Sequence, residues 1–338
     1  MKVCIWFRLT DGPWGGGNQF LRSLSAELVR RGHDVCVHPE PGCDVVLINA
    51  HNRGPDMPIS VNEVGQVKAT GHVNAVGRFI PVTLWRLLPR RGPALVHRLD
   101  GVAQLIRGFP SAADKLAPAI NRLSDYTIFQ SVYSRDSFAE FGVRPERFRI
   151  IYNGVDPRIF YPASSASKRY LGPTLRLIAV SWSPNPRKGF ATLARISKLP
   201  GVEVRFVGRW PAEIDPGNVK RLGALTSPEV AEAMRASDAM IHAAENEPCS
   251  NAILEALACG LPVLYKASGG NPEIAGPYGI ALTEDLAANV EELRVRYNVL
   301  REKILDNRHE FLITKAATQY LEVFEEALEL SRRGNEQA

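Results

Sequence analysis

The chain has 338 residues, 45% of them hydrophobic and 23% charged. That is ample apolar material for a packed core and for two domains of ordinary size, so disorder is not the default. No run of eighteen apolar residues occurs, and the first strand-like stretch, Lys2 to Phe7, runs into Arg8, Asp11 and glycines instead of a signal-peptide core, so a cytoplasmic protein is expected.

The net charge of +5 belongs to the first half, because residues 1–156 carry 19 basic and 14 acidic side chains while residues 157–338 carry 22 of each. Between Arg78 and Arg107 six arginines (78, 86, 90, 91, 98 and 107) face one acid, Asp100, with Phe79, Trp85, Leu87 and Leu88 interleaved. Such a run suits peripheral contact with anionic lipid, an anionic acceptor or, more narrowly, nucleic acid. A solvated helix face with Trp85 in the core accounts for it equally well. The five cysteines (Cys4, Cys36, Cys43, Cys249, Cys259) form no C-x-x-C pair and lie in apolar segments, so reduced thiols are expected and no metal site.

In chain order, apolar β-branched runs alternate with helical patterns. KVCIWF is followed by a helix near Asn18 to Arg31, then by DVCVH, DVVLIN, ALVH, YTIFQ and FRIIY. After a Pro/Ser/Ala-rich stretch, Tyr161 to Gly172, the rhythm restarts with LRLIAVSW, a helix near Phe190 to Lys198, VEVRFVG, a helix near Pro228 to Arg235, AMIHA, a helix near Asn251 to Cys259, and LPVLY. Strands alternating with helices predict parallel sheets, hence an α/β chain of two doubly wound units. The expected division is 1–158, 159–310 and a helical C-terminal segment 311–338. In open sheets of this kind ligands lie beyond the carboxyl ends of the strands.

Four segments carry candidate chemistry. GPWGGGNQF, Gly12 to Phe20, places Gly15, Gly16 and Gly17 before a helix start, where backbone N–H groups and the helix dipole favour a phosphate; a purely structural tight turn is the competing reading. SWSPNPRKGF, Ser181 to Phe190, presents Arg187 and Lys188 from a proline-broken loop at the end of a strand, a planar fork beside a point charge suited to phosphate oxygens, or two solvated cations at a turn. ENEPCSNAILEALACGLPVL, Glu245 to Leu264, is the most specific: Ser250 is a good N-cap, Glu247 is held on the loop by Pro248, and Glu255 lies inside the helix. The N–H groups near Ser250 and Asn251 would hold a phosphate, and the two carboxylates would accept hydrogen bonds from hydroxyls. Glu255 is the only charged residue between Cys249 and Tyr265, which a polar ligand explains better than solubility does. VHRLDG, Val96 to Gly101, offers Asp100 or His97 at a strand end, either as a ligand contact or as a structural histidine and a turn former.

Taken together these segments resemble the family 4 retaining glycosyltransferases over most of the chain. Glu247 and Glu255 reproduce the family's E-x7-E element, followed by LEALACGLPV and by GGNPEI, Gly269 to Ile274. IIYNGVDPRIF, Ile151 to Phe160, which contains Asn153, looks like the hinge segment; RKGF looks like the K-G element and GGGNQF like the glycine loop. The resemblance implies the GT-B fold, with two Rossmann-like domains facing a central cleft and a C-terminal helix crossing back to the first. It implies a nucleoside diphosphate sugar as donor and a hydroxyl acceptor, glycan, lipid-linked or other, with no cofactor. By the same likeness Glu247 would contact the donor sugar, Glu255 the ribose, Lys188 and Arg187 the diphosphate, and Gly16 and Gly17 the phosphate.

Two departures stand out. The Gly-Arg pair usual before K-G is here Ser181 and Trp182, so Arg187 is expected to supply the charge; and Asp100 stands where many members carry a histidine, with His97 three residues earlier. No D-x-D triplet occurs, so a metal-held diphosphate is not expected. The reading is a metal-independent retaining transferase. An isomerase or hydrolase of nucleotide sugars on the same fold, or a catalytically silent binding protein, are the alternatives.

Overall fold

A computed structural model of the chain describes residues 1–7, 9, 16–40, 42–50, 59–61, 67–69, 93–163 and 169–336. Gly15 and the stretch from Arg78 to Arg91, with Trp85, lie outside the described residues.

Contacts divide the chain into two compact units, the first holding Leu24–Ile151 with the N-terminal strand and Ala317–Ala338, the second holding Tyr152–Ala316 together with residues 16–23. The first unit is built on β1 (Lys2–Trp6), β2 (Asp34–Cys36), β3 (Val45–Asn49), β6 (Ala94–Leu99), β7 (Tyr126–Phe129) and β8 (Phe148–Ile150), besides a two-stranded antiparallel ladder of β4 (Ile59–Val61) and β5 (Val67–Ala69). The six strands form one parallel sheet in the order β2-β1-β3-β6-β7-β8. Strands β1, β3 and β6 are almost wholly buried, which is why β1 and β3 read as nearly continuous apolar runs and not as alternating ones. The C-terminal helix Ile313–Glu336 groups with this unit from Ala317 onward, burying Tyr320, Val323, Phe324 and Ala327. Arg149 anchors it through ion pairs to Glu322 and Glu326, which stand one turn apart on one helix face.

Arg98 requires a correction. Read as part of a basic surface run, it is instead completely buried, donating from Nε to the Tyr320 hydroxyl at 3.0 Å and from Nη1 to the Asn49 side chain. It occupies an inward position of β6, so its guanidinium serves the core's hydrogen bonding and contributes nothing to an anionic surface contact.

The second unit contains β9 (Leu175–Ser181), β10 (Val202–Gly208), β11 (Lys220–Gly223), β12 (Ala239–His242), β13 (Val263–Tyr265) and β14 (Gly279–Ala281), all parallel, in the order β11-β10-β9-β12-β13-β14. Counted within the unit this is 3-2-1-4-5-6, the doubly wound arrangement whose switch point lies between the first and fourth strands, here β9 and β12. One face of the sheet packs the edge-on aromatic trio Phe190, Phe206 and Trp210, with ring centroids 4.9 to 5.6 Å apart. The other packs Ile253, Leu254 and Leu257 of the helix Asn251–Ala258. Both helices that matter for the site, Phe190–Ile196 and Asn251–Ala258, therefore begin at the carboxyl edge of the sheet on either side of the switch point.

Candidate active site

At that switch point the chain leaves β9 after Ser181, is kept irregular by Pro184, and enters a single 3-10 turn, Pro186–Lys188, which Pro186 opens. The Asn185 side chain caps this turn by accepting from the Arg187 N–H at 3.0 Å, and Gly189, at φ +77°, ends it. A Cβ on Gly189 would lie 2.3 Å from the Ala243 carbonyl oxygen, so only glycine lets the loop sit flush against the end of β12. Alanine here combines backbone strain with a backbone clash and is expected to cost about 2–4 kcal/mol. Chemical denaturation of Gly189→Ala measures it; an unchanged midpoint would contradict this packing.

The second loop, Ala243 to Ser250, carries Glu247 and is clamped on three sides. The Glu245 N–H donates to the Arg187 carbonyl at 2.8 Å, the Asn246 N–H to Ser268 Oγ at 3.0 Å, and the Gly270 N–H to the Glu247 carbonyl at 2.7 Å. Asn246 adopts φ +55°, a left-handed conformation that asparagine tolerates better than most side chains. The Asn271 side chain straps the same loop through its Nδ2, which donates to the Ala244 carbonyl at 2.9 Å. This explains the GGNPEI segment: Gly269, at φ +63°, passes within 2.5 Å of the Glu247 carbonyl measured from where its Cβ would be.

These clamps bring the Glu247 carboxylate onto the Lys188 ammonium as an ion pair, with side chains only 15% and 21% exposed. Burial by itself would raise the Glu247 pKa, but Lys188, and secondarily His242, outweigh it and hold the carboxyl below its ordinary value. His242, the last residue of β12, is itself kept neutral, its pKa lowered to about 4 chiefly by burial; Glu247 opposes that shift and Lys188 adds to it.

One pocket gathers Lys188, His242, Glu247, Ser250, Asn251 and Glu255 with Ser181 and Trp182. Ser250 caps the helix, its Oγ accepting from the Ile253 N–H, and Asn251 donates to the Gly16 carbonyl at 2.7 Å. Gly16 and Gln19 line the pocket too, and Gln19 donates to Ser227 Oγ at 2.8 Å. Among the described residues Glu255, on the second turn of the helix, has no cation beside it. Burial alone raises its pKa to about 8, so it is mostly protonated at neutral pH.

Of the residues singled out in the sequence, Lys188, Glu247, Ser250, Asn251, Glu255 and Gly16 line this pocket. Arg187, Gly17 and Asn153 do not, although Asn153 Nδ2 donates to Asn251 Oδ1 at 2.7 Å and so fixes that amide. Arg187 contributes its backbone carbonyl to the clamp, leaving Lys188 as the lining cation of the turn.

In the first unit, His97 is corrected to a structural residue. It is completely buried, its Nε2 lies 3.0 Å from the Ala50 carbonyl, its Nδ1 lies 3.2 Å from Asn121 Nδ2, and burial lowers its pKa to about 4. Asp100 stands at the carboxyl end of β6, partly exposed, with Oδ1 accepting from the Gly101 N–H at 3.0 Å. Sequence reasoning passed over His242, whose signal was a lone imidazole closing the apolar run AMIHA, and over Gln19 and Ser227, whose pairing no spacing rule exposes.

A family model described as Glycosyl transferases group 1 matches residues 184–295, the stretch that holds both site loops. A D-inositol 3-phosphate glycosyltransferase of Mycobacteroides abscessus is 26% identical over 246 residues, covering 63% of this chain and 56% of that protein. A GDP-mannose-dependent monoacylated alpha-(1-6)-phosphatidylinositol monomannoside mannosyltransferase of Corynebacterium glutamicum is 30% identical over 206 residues, covering 53% and 51%. The chain spans about half the length of the curated relatives it matches. Among solved structures, Anabaena HepE in complex with UDP superposes with a TM-score of 0.67 at 18% identity, covering 96% of this chain and 100% of that one. Sucrose-phosphate synthase from Thermosynechococcus elongatus gives 0.64 at 16% identity over 96% and 98%.

The fold is that of the GT-B glycosyltransferases, two Rossmann-like α/β units. Within that fold, residues 184–295 resemble the group 1 glycosyl transferases.

Proposed function

We propose that this protein is a retaining, metal-independent glycosyltransferase that passes a sugar from a nucleoside diphosphate sugar to an acceptor hydroxyl. The observation that carries the reading is the Lys188–Glu247 pair set beside the start of the helix Asn251–Ala258 and above Glu255 in one pocket. A diphosphate needs fixed positive charge, which Lys188 and the N–H groups of the helix start supply. A sugar and a ribose need hydrogen-bond acceptors, which Glu247 and Glu255 supply. As the bond between the anomeric carbon and the phosphate oxygen breaks, the electron pair leaves with the diphosphate, whose charge Lys188 neutralises. The acceptor oxygen attacks from the same face, and its proton passes to the departing phosphate oxygen, which accounts for retention without a carboxylate nucleophile. With Lys188 in the diphosphate position the reaction requires no metal. The acceptor is a glycan, lipid-linked or other hydroxyl; of the similar proteins, one is named for D-inositol 3-phosphate and one for a phosphatidylinositol monomannoside.

The test is a binding and turnover panel of UDP- and GDP-linked sugars, the bases being those carried by the similar proteins. A ligand present at 100 times its dissociation constant should stabilise the fold by about 2.7 kcal/mol, read as a melting shift. Product should form only with acceptor present, should keep the donor's anomeric configuration, and should be insensitive to a chelator. Product without acceptor would instead indicate an isomerase or hydrolase.

A further inference from the structure

Among the described residues two buried side-chain atoms lack any hydrogen-bond partner, His242 Nε2 and Asn271 Oδ1. Such orphans are rare in folded proteins, and each calls for a reason. They differ in what surrounds them. Asn271 is already committed, its Nδ2 donating to the carbonyls of Ala244 and Lys266, and it does not line the pocket. His242 is 7% exposed, closes β12 at the switch point, lines the pocket and lies within electrostatic reach of both Lys188 and Glu247. Strand β12 is held on both sides by β9 and β13, so the imidazole is fixed from a rigid element and not from a loop.

We infer that His242 is a specificity-determining residue whose Nε2 hydrogen-bonds a hydroxyl of the sugar carried by a nucleoside diphosphate, next to the carboxylate of Glu247. The assignment rests on the donor-site reading above and goes beyond it by naming the contact. Three observations support a hydroxyl over a phosphate oxygen. The ring is neutral, so it offers no charge to a diphosphate. Lys188 already provides the cation on this side of the pocket. A hydroxyl both donates and accepts, so it satisfies Nε2 in either tautomer of the neutral ring, whereas a phosphate oxygen satisfies only one. An apolar residue at this position, in an otherwise apolar strand, would remove the orphan, and its absence is what a ligand contact explains.

The experiment is calorimetric titration of the full chain with UDP, GDP, UDP-glucose and GDP-mannose, comparing wild type with His242→Leu, His242→Gln and His242→Asn. The nucleotide sugar that wild type binds should lose at least tenfold in affinity in His242→Leu, while the matching sugar-free diphosphate stays within about twofold. Glutamine, whose amide reaches the place of Nε2, should recover affinity to within about threefold, and asparagine, which does not reach it, should behave as leucine does. That pattern is one a merely structural role would not produce, and the asparagine–glutamine contrast decides the matter even should the leucine variant fail to fold. Equal losses for sugar and sugar-free ligands, or unchanged nucleotide-sugar affinity in both the leucine and asparagine variants, would overturn the assignment alone. Wild type binding none of the four would overturn the donor-site reading and this assignment with it.

Discussion

Replacing Lys188 with methionine is expected to lower turnover by about 100- to 1,000-fold, the usual effect of removing one group that stabilises charge developing in a transition state. Methionine keeps the apolar stem and its packing, so the change isolates the ammonium. Two consequences should accompany the loss. The first is on Glu247: with Lys188 gone, burial acts on its carboxyl against His242 alone, so its pKa rises and the acid limb of the pH–rate profile moves to higher pH. The second is on stability. Breaking a well-buried ion pair from one side typically costs about 3–5 kcal/mol, but Glu247 keeps some solvent contact and can take up a proton, so a smaller penalty is expected. Steady-state rates at saturating donor, measured across pH on a variant shown to be folded, check the first two, and chemical denaturation checks the third. A variant turning over within threefold of wild type would remove Lys188 from the reaction.

How much of this was readable in advance follows from what each feature depends on. Strands β1, β3, β12 and β13 were legible because burial on both faces leaves nearly continuous apolar runs, β6, β9 and β10 because apolar residues outnumber the polar ones in them, and the helix Asn251–Ala258 because Ser250 and Pro248 mark its start. Strand β11, Lys220–Gly223, carries no such signal: all four residues are exposed, and it exists only because β10 offers it an edge. The short strand β14, Gly279–Ala281, is likewise defined by its neighbour β13, with Val263 opposite Gly279. In the site, the chain positions of Lys188 and Glu247 were visible, but their pairing across 59 residues depends on where the Gly189 and Gly269 turns put two loops, which spacing does not encode. The same limit explains Arg98 and His97. An arginine in a basic run and a histidine at a strand end look available until the fold supplies Asn49, Tyr320, Ala50 and Asn121 as partners.

Glu255→Gln should produce the largest change in how stability depends on pH. The folded carboxyl titrates near pH 8, far above its ordinary value of 4.5, and the cause is burial without a compensating cation. A pKa raised on folding means that the folded state holds a proton which the unfolded chain has already released between these two values. Stability therefore falls as pH rises through that interval, and the loss is complete above the folded pKa. For a partly screened side chain this amounts to something on the order of 3 kcal/mol between pH 5 and pH 9. Glutamine imitates the protonated form throughout, so the variant should match wild type near pH 5 and exceed it near pH 9. His97 and His242, with pKa values lowered from 6.5 to about 4 by burial, act with the opposite sign, raising stability as pH rises to about 6.5, and they cancel in the difference between variant and wild type. The proposed ligand should reverse the sign. A ribose diol donating hydrogen bonds to Glu255 favours the ionised carboxylate, so binding expels a proton and tightens as pH rises from 6 towards 8, by at most about tenfold per pH unit. Calorimetric titrations in buffers of different ionisation enthalpy count that proton directly. Glu255→Gln should release none and bind with flat pH dependence, and a variant that released as much as wild type would show that Glu255 does not face the nucleotide.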